Sequence, residues 1–306
     1  MSHPNRPTPT ITRNAMITIA GRPNVGKSTL LNALVGEKIA IVTSKPQTTR
    51  NRILAVLNQN DTQFIFVDTP GYHAPRTRLG SYMVNIVRES VADVDAVLLL
   101  VEPIANIGEQ EQQLIRWIAA SGAPGVLVIN KVDTVKKEAL LSVIDCYRAA
   151  YEFDEIIPLS AKFGDGLRHL TKLLHGYAED GPQLFPDDMI TDQPERQIVA
   201  ELLREKLLFC LEKEIPHGTA VEITTFNERE NSVIHIGATI YTEKDSHKGI
   251  IIGKHGVMLQ KVGEMARRDM QRFLGAKIYL ETWVKVKPRW RDSAYLLRNF
   301  GYTNES

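Results

Sequence analysis

The apolar run Ala15–Ala20 leads directly into Gly21-Arg22-Pro23-Asn24-Val25-Gly26-Lys27-Ser28, and an amphipathic stretch, Lys27–Val35, leads out of it. A G-x-x-x-x-G-K-[ST] pattern set between a strand and a helix is a phosphate-binding loop. The glycines let the backbone curl until successive N–H groups face one anion, with the positive end of the following helix behind them. Gly21, Asn24, Val25, Gly26, Lys27, Ser28 and Thr29 form the expected cradle. In it Lys27 reaches the β- and γ-phosphates, as a catalytic residue, and the Ser28 hydroxyl is a ligand for Mg²⁺.

The first half of the chain alternates in the way such a loop requires. Strands are expected at Ala15–Ala20, Ile53–Leu57, Phe64–Val67, Ala96–Val101, Val126–Ile129 and Ile156–Leu159. Helices are expected at Lys27–Val35, Leu79–Val91, Glu109–Ala120, Lys136–Tyr147 and Leu167–Leu174. This order predicts an α/β fold, a mostly parallel sheet covered on both faces. Between Ile53–Leu57 and Phe64–Val67 there is no room for a helix, so one edge of the sheet is expected to be reversed. Around Glu179–Pro194, rich in Pro and Asp, the pattern stops. Beyond it, a helix (Glu195–Glu212), two strands, two helices and a last strand (Lys277–Val286) predict a smaller α+β domain.

Two more loops at the same sheet edge complete a nucleotide site. Asp68-Thr69-Pro70-Gly71 follows a strand, so Asp68 holds the metal and the Gly71 N–H approaches the γ-phosphate. Asn130-Lys131-Val132-Asp133 follows another. The Asp133 carboxylate accepts two hydrogen bonds at once, which matches the N1–H and N2–H₂ donors of guanine and rejects adenine. Asn130 braces this loop and reaches N7, while the Lys131 stem lies along the base. Ser160-Ala161-Lys162, one loop on, is the expected source of a backbone N–H for the guanine O6. Between the phosphate loop and Asp68 lies Lys45-Pro46-Gln47-Thr48-Thr49-Arg50-Asn51, where a threonine can give its hydroxyl to Mg²⁺ and its N–H to the γ-phosphate. Either Thr48 or Thr49 fits, and Thr49 is favoured as both metal ligand and catalytic residue.

The net charge of +1 conceals an asymmetry. Glu243–Arg291 holds twelve Lys or Arg against five Asp or Glu, a local excess of +7 that leaves −6 for the remainder. Within it, Ile250-Ile251-Ile252-Gly253-Lys254-His255-Gly256 joins two expected helices. A Gly-x-x-Gly turn so placed is the backbone clamp of KH domains on single-stranded RNA. Gly253, Lys254, His255 and Gly256, with Lys261, Arg267 and Arg268 on the next helix, are the expected RNA contacts. Leu259, Val262, Ala266 and Met270 form the buried face of that helix. Trp283 and Trp290 with their flanking Lys and Arg either extend the RNA surface or cover the sheet edge.

The five ordered signatures GRPNVGKS, QTTRN, DTPG, NKVD and LSA, followed by a type II KH arrangement, resemble the Era family of bacterial GTPases. The resemblance covers about Ala15 to Arg291. It implies a flexible N-terminus (1–14), a P-loop GTPase domain (15–180), a linker (181–194), a type II KH domain (195–291) and a C-terminal tail (292–306). It also implies Mg²⁺-dependent GTP hydrolysis, binding to 16S ribosomal RNA, help in assembling the small (30S) subunit, and a monomer peripherally associated with the inner membrane.

Composition agrees with a folded protein: 43% of residues are hydrophobic, 24% charged, and no apolar run is long enough to span a membrane. Met1–Ala15 has no apolar core segment, so a secretory signal is not expected, and Cys146 and Cys210 suit neither a disulfide framework nor structural zinc. A cytoplasmic location follows. Two other readings compete: a GTPase whose C-terminal domain docks a protein or an anionic membrane without RNA, and a nucleotide kinase, which Asp133 argues against.

In Ras-type enzymes a Gln after the Asp-x-x-Gly glycine orients the attacking water. Here Tyr72 stands there, followed by His73, which reads better as a switch residue than as a general base. Intrinsic hydrolysis is therefore expected to be slow, below about 1 s⁻¹ in a single-turnover assay of the protein alone. A faster rate would mean that a water-positioning group is already in place.

Overall fold

The computed structural model describes residues 10–229 and 232–302, which divide into two units. The first comprises the chain up to Glu37, Ile53–Thr69 and Arg88–Asp192. The second comprises Lys38–Arg52, Pro70–Val87 and the chain from Gln193 onward.

Among the described residues the first unit is built on seven strands: β1 (Arg13–Gly21), β2 (Ile53–Gln59), β3 (Thr62–Asp68), β4 (Ala96–Val101), β5 (Gly125–Ile129), β6 (Glu155–Pro158) and β7 (Glu179–Asp180). Their order is β2-β3-β1-β4-β5-β6, with β7 paired to β1. β3, β4 and β5 are buried along their whole length, as strands with apolar runs such as Phe64–Val67 and Val97–Val101 in a covered sheet must be. β1, β3, β4, β5 and β6 are parallel. β2 is antiparallel to β3, the reversed edge expected from the sequence, and Asn60 (φ 56°) makes the tight turn between them. The helices are α1 (Lys27–Val35), α2 (Arg78–Val91), which crosses the division between units, α3 (Glu109–Ser121), α4 (Lys137–Ala150) and α5 (Leu167–Leu174).

Residues 181–194, expected as a linker, contribute to this unit as far as Asp192. The Val56 N–H donates to Ile190 O at 2.8 Å, the Leu54 N–H to Asp192 Oδ1 at 3.2 Å, and the Thr191 hydroxyl to Leu54 O at 2.6 Å. This stretch shields the outer edge of β2 from other strands. Of the expected flexible N-terminus, residues 1–9 lie outside the described residues. The Thr12 and Arg13 N–H groups already donate to Asp61 O (2.9 and 3.1 Å).

In the second unit, α6 (Glu195–Cys210), α7 (Asp245–Ile252) and α8 (Val257–Leu274) accompany a sheet of β8 (Ala220–Glu228), β9 (Val233–Thr242) and β10 (Lys277–Val286). β9 is central, antiparallel to β8 and parallel to β10. Val199, Leu203 and Leu207 of α6 and Val262, Ala266 and Met270 of α8 share a buried core with Ile236, Ala238 and Ile240 of β9. Ile41, from the segment before β2, is part of the same core.

A second cluster decides between the two alternatives open for Trp290. Trp290 is fully buried, with its indole N–H donating to Gly218 O at 2.9 Å, so it cannot stack on RNA. It packs with Tyr241, Leu297, Phe300 and Tyr302 and with Leu79 and Met83 of α2. The stretch expected as a tail thus carries α9 (Ala294–Asn299) and core side chains as far as Tyr302, residues 303–306 lying outside the described residues. Trp290→Ala should lower stability by about 3–5 kcal/mol, the usual range for emptying an aromatic site. Urea unfolding followed by far-UV circular dichroism measures this, and a loss under about 1 kcal/mol would mean the cluster collapses to fill the space.

Candidate functional site

The phosphate loop leaves the carboxyl end of β1 and closes at the N-terminus of α1. Gly26, the cap of α1, has φ 104°, a conformation that side-chain-bearing residues avoid. A Cβ there would also run into the Asn130 side-chain amide. That amide donates to Val25 O at 2.8 Å, while Asn130 Oδ1 accepts the Ala161 N–H at 3.0 Å. Asn130 therefore ties the phosphate loop to both base-reading loops and leaves no room for anything but glycine beside it.

Lys27 is buried, with its ammonium donating to Gly21 O (3.2 Å) and Arg22 O (2.9 Å). Burial pulls its pKa down to about 8, against the opposing pull of Asp68. A buried ammonium whose hydrogen bonds go to carbonyls gains most from a dense negative charge, which is what a triphosphate supplies. The Ser28 hydroxyl donates to Asp68 Oδ2 at 2.7 Å, and Asp68 is fully buried at the end of β3. These hard oxygen donors suit Mg²⁺, which prefers one or two protein oxygens plus substrate phosphates. Thr69 continues the loop, its hydroxyl donating to Ile19 O at 3.0 Å. Thr29 lies in the first turn of α1.

At the base-reading end, Lys131 is left-handed (φ 62°) and donates to Asn24 O at 2.6 Å, and Asn24 is left-handed too (φ 68°). Asp133 is exposed, and the buried Ser160 hydroxyl donates to its Oδ1 at 2.5 Å. Ser160 thus fixes the carboxylate expected to read guanine, a part that the tripeptide alone did not suggest. The Ala161 N–H is spent on Asn130, and Lys162 lies over the Phe163 ring at 4.9 Å.

Thr49, Pro70 and Gly71 belong to the second unit. The Thr48 hydroxyl is committed to a local turn, donating to Lys45 O at 2.7 Å and lying 2.7 Å from the Thr43 hydroxyl, and Thr49 is buried. His73 lies between Gly71 O (3.0 Å) and Gln47 (3.1 Å), which fits a brace. Sequence reading missed Arg50 altogether. Its buried guanidinium donates to Thr219 O (2.7 Å), His217 O (2.9 Å) and the Tyr302 hydroxyl (3.3 Å), and faces the rings of Trp290 and Tyr302. Lys38 pairs with Glu205 (2.7 Å) and Asp269 (3.1 Å), and Arg204 donates to Thr48 O. Only Arg50's place beside two motif threonines hinted at a function.

In the same unit the Gly253–Gly256 turn joins α7 to α8. Gly253 has φ 76°, and a Cβ there would lie 2.7 Å from Met258 Cβ. Lys254 and His255 stand exposed at the tip, and Lys261, Arg267 and Arg268 are exposed on α8. A groove of about 440 Å³ runs beside the turn, lined by Gly256, Leu259, Arg267, Ile278 and Leu280 among others. Arg267 lines this groove; Lys261 and Arg268 do not.

Comparison with known proteins agrees with this geometry. Residues 16–131 match the family described as 50S ribosome-binding GTPase, and residues 214–291 match the KH domain. GTPase Era of Ruminiclostridium cellulolyticum is 50% identical over 96% of this chain and 99% of its own length. GTPase Era of Geobacter metallireducens is 49% identical over 95% and 98%. Two solved structures each superpose with a TM-score of 0.92 at 37% identity, covering 95% of this chain and 99% of theirs. One is Era with MgGDPNP and nucleotides 1506–1542 of 16S ribosomal RNA; the other is a single-substitution variant of Aquifex aeolicus Era bound to GDP·AlF4⁻.

The crowding at Gly26 makes a direct test. Gly26→Ala should weaken GDP and GTP binding by more than about 100-fold, since the new methyl displaces the Asn130 amide that holds both loops. Calorimetric titration gives the affinity, and an unchanged circular dichroism spectrum shows that the fold survives. Near-normal binding would mean that Asn130 can swing away without cost.

Proposed function

The chain belongs to the Era family of GTPases, and we propose that it works as a GTP-controlled RNA-binding factor on the 3′-terminal part of 16S ribosomal RNA, assisting assembly of the 30S subunit. The observation that carries the reading is where the switch segments are folded. Lys38–Arg52 and Pro70–Val87, which hold Thr49 and Gly71, are built into the same unit as the Gly253–Gly256 turn. A nucleotide that recruits Thr49 and Gly71 to its γ-phosphate must therefore disturb, or be disturbed by, the contacts of the RNA-binding unit.

In hydrolysis, Asp133, aimed by Ser160, selects guanine, and the phosphate-loop N–H groups and Lys27 neutralise the phosphates. Ser28, Asp68 and Thr49 would hold Mg²⁺, and the ion would supply positive charge to offset that of the phosphates. On the RNA side, the α8 N-terminus and the glycine turn leave space for a phosphodiester against the backbone, and the groove accepts a base on Leu259, Ile278 and Leu280. The fold works as a monomer in the cytoplasm in this reading. Its basic stretch, +7 over Glu243–Arg291, supports peripheral contact with the anionic inner-membrane surface. Among the described residues no helix is long and apolar enough to cross a membrane.

The double variant Lys254→Asp/His255→Asp puts two negative charges at the exposed tip without touching the core. Its affinity for single-stranded 16S 3′-terminal RNA, measured by fluorescence anisotropy at about 0.1 M salt, should fall by at least about tenfold. GTP hydrolysis without RNA should be unchanged. Full RNA affinity in this variant would favour the docking reading, in which the same face meets a protein or lipid.

A further inference from the structure

Two acidic side chains that no motif contains sit against the nucleotide loops, both inside the first unit. Glu102 follows the last residue of β4. Its carboxylate accepts from the Lys131 ammonium at 2.7 Å and lies 3.7 Å from the Arg22 guanidinium. Glu111, on the first turn of α3 and 1% exposed, forms an ion pair with the same guanidinium. We propose that Glu102 is a positioning residue for the bound guanine nucleotide, acting through Lys131 and Arg22.

Lys131 has to keep its stem extended along the base, which requires a fixed partner for its ammonium. It has two: Asn24 O in the phosphate loop, at 2.6 Å, and Glu102. Arg22 contributes from the other side, because its own carbonyl accepts the Lys27 ammonium at 2.9 Å. Glu102 is thus the one described carboxylate that faces both cations, and through them it reaches both the base-reading loop and the phosphate loop. Glu111, buried, secures the far side of Arg22 and leaves Glu102 to set where Arg22 and Lys131 stand relative to each other. Removing Glu102 leaves two like charges close together with their shared counter-ion gone, and Lys131 is drawn toward water.

Two other roles predict different results. An exposed ion pair that merely stabilises the surface contributes little to folding and nothing to nucleotide release. A carboxylate acting only through its charge repels the phosphates, so its removal would slow release. The positioning role has the opposite sign: Glu102→Ala should release GDP about tenfold faster although one negative charge is gone. Glu102→Gln, which keeps an oxygen for Lys131, should restore release to within about threefold of the unaltered protein. KM for GTP should rise with Glu102→Ala while single-turnover hydrolysis of preloaded GTP stays within about twofold. Stopped-flow release of a fluorescent guanosine diphosphate from the full chain, alongside single-turnover assays and the urea midpoint, reads all of these. Unchanged or slower release from Glu102→Ala overturns the proposal. So does faster release that Gln fails to restore, or that comes with a lowered urea midpoint. The test stands whether or not the protein binds RNA.

Discussion

Arg50 places a permanent charge in the interior of the second unit, and the way that charge is met anchors the segment Lys38–Arg52, which carries Thr49. An isolated cation taken out of water costs several kcal/mol unless its hydrogen bonds are replaced. Here two carbonyls, the Tyr302 hydroxyl and two aromatic faces replace them, with no carboxylate in direct contact among the described residues, and the Nε finds no hydrogen-bond partner there either. Desolvation accordingly lowers the guanidinium's pKa, with the phenol of Tyr302 opposing. The clamp is specific in geometry but incompletely satisfied, which suits a contact meant to be made and broken. Thr49 directly precedes it, so the residue expected to sense the γ-phosphate is held through its neighbour in the second unit.

The two expected phosphate grips use the same elementary device, a positive-φ glycine at the start of a helix. Gly26 caps α1 and Gly256 caps α8, at φ 104° and 80°. What separates them is their surroundings. The first is walled in by Asn130, Lys27 and Asp68, which suits one small, highly charged ligand. The second opens beside a groove of mixed lining, Leu259, Ile278 and Leu280 together with Gln260, Glu264 and Arg267, with Lys254 and His255 exposed at the turn, which suits a flexible chain whose bases need somewhere to go.

Much of this was legible from the residues because the chemistry is local. The glycine loop, Asp68 at the end of a strand, Asn130 to Asp133 after another, and Gly253 to Gly256 between helices all lie within a few residues of the structure that positions them. The reversed edge followed from chain length alone. What failed to show were contacts between residues far apart in sequence. In sequence Arg50 reads only as part of the switch motif and Trp290 fits either RNA contact or a cover for the sheet edge, because nothing in their neighbourhoods reveals that they meet across some 240 positions. The stretch before α6 looked like a linker because strand-edge shielding has no period. Ser160 looked like a loop residue until its hydroxyl was seen to donate to Asp133.

The central claim is that guanine nucleotide and unpaired RNA are coupled through one chain. It is tested most directly by titrating a labelled 16S 3′-terminal oligonucleotide at fixed salt against the protein loaded first with a non-hydrolysable GTP analogue and then with GDP. Coupling through the switch segments predicts RNA affinities that differ by about tenfold or more between the two states. Equal affinities would contradict it, whatever each site does alone.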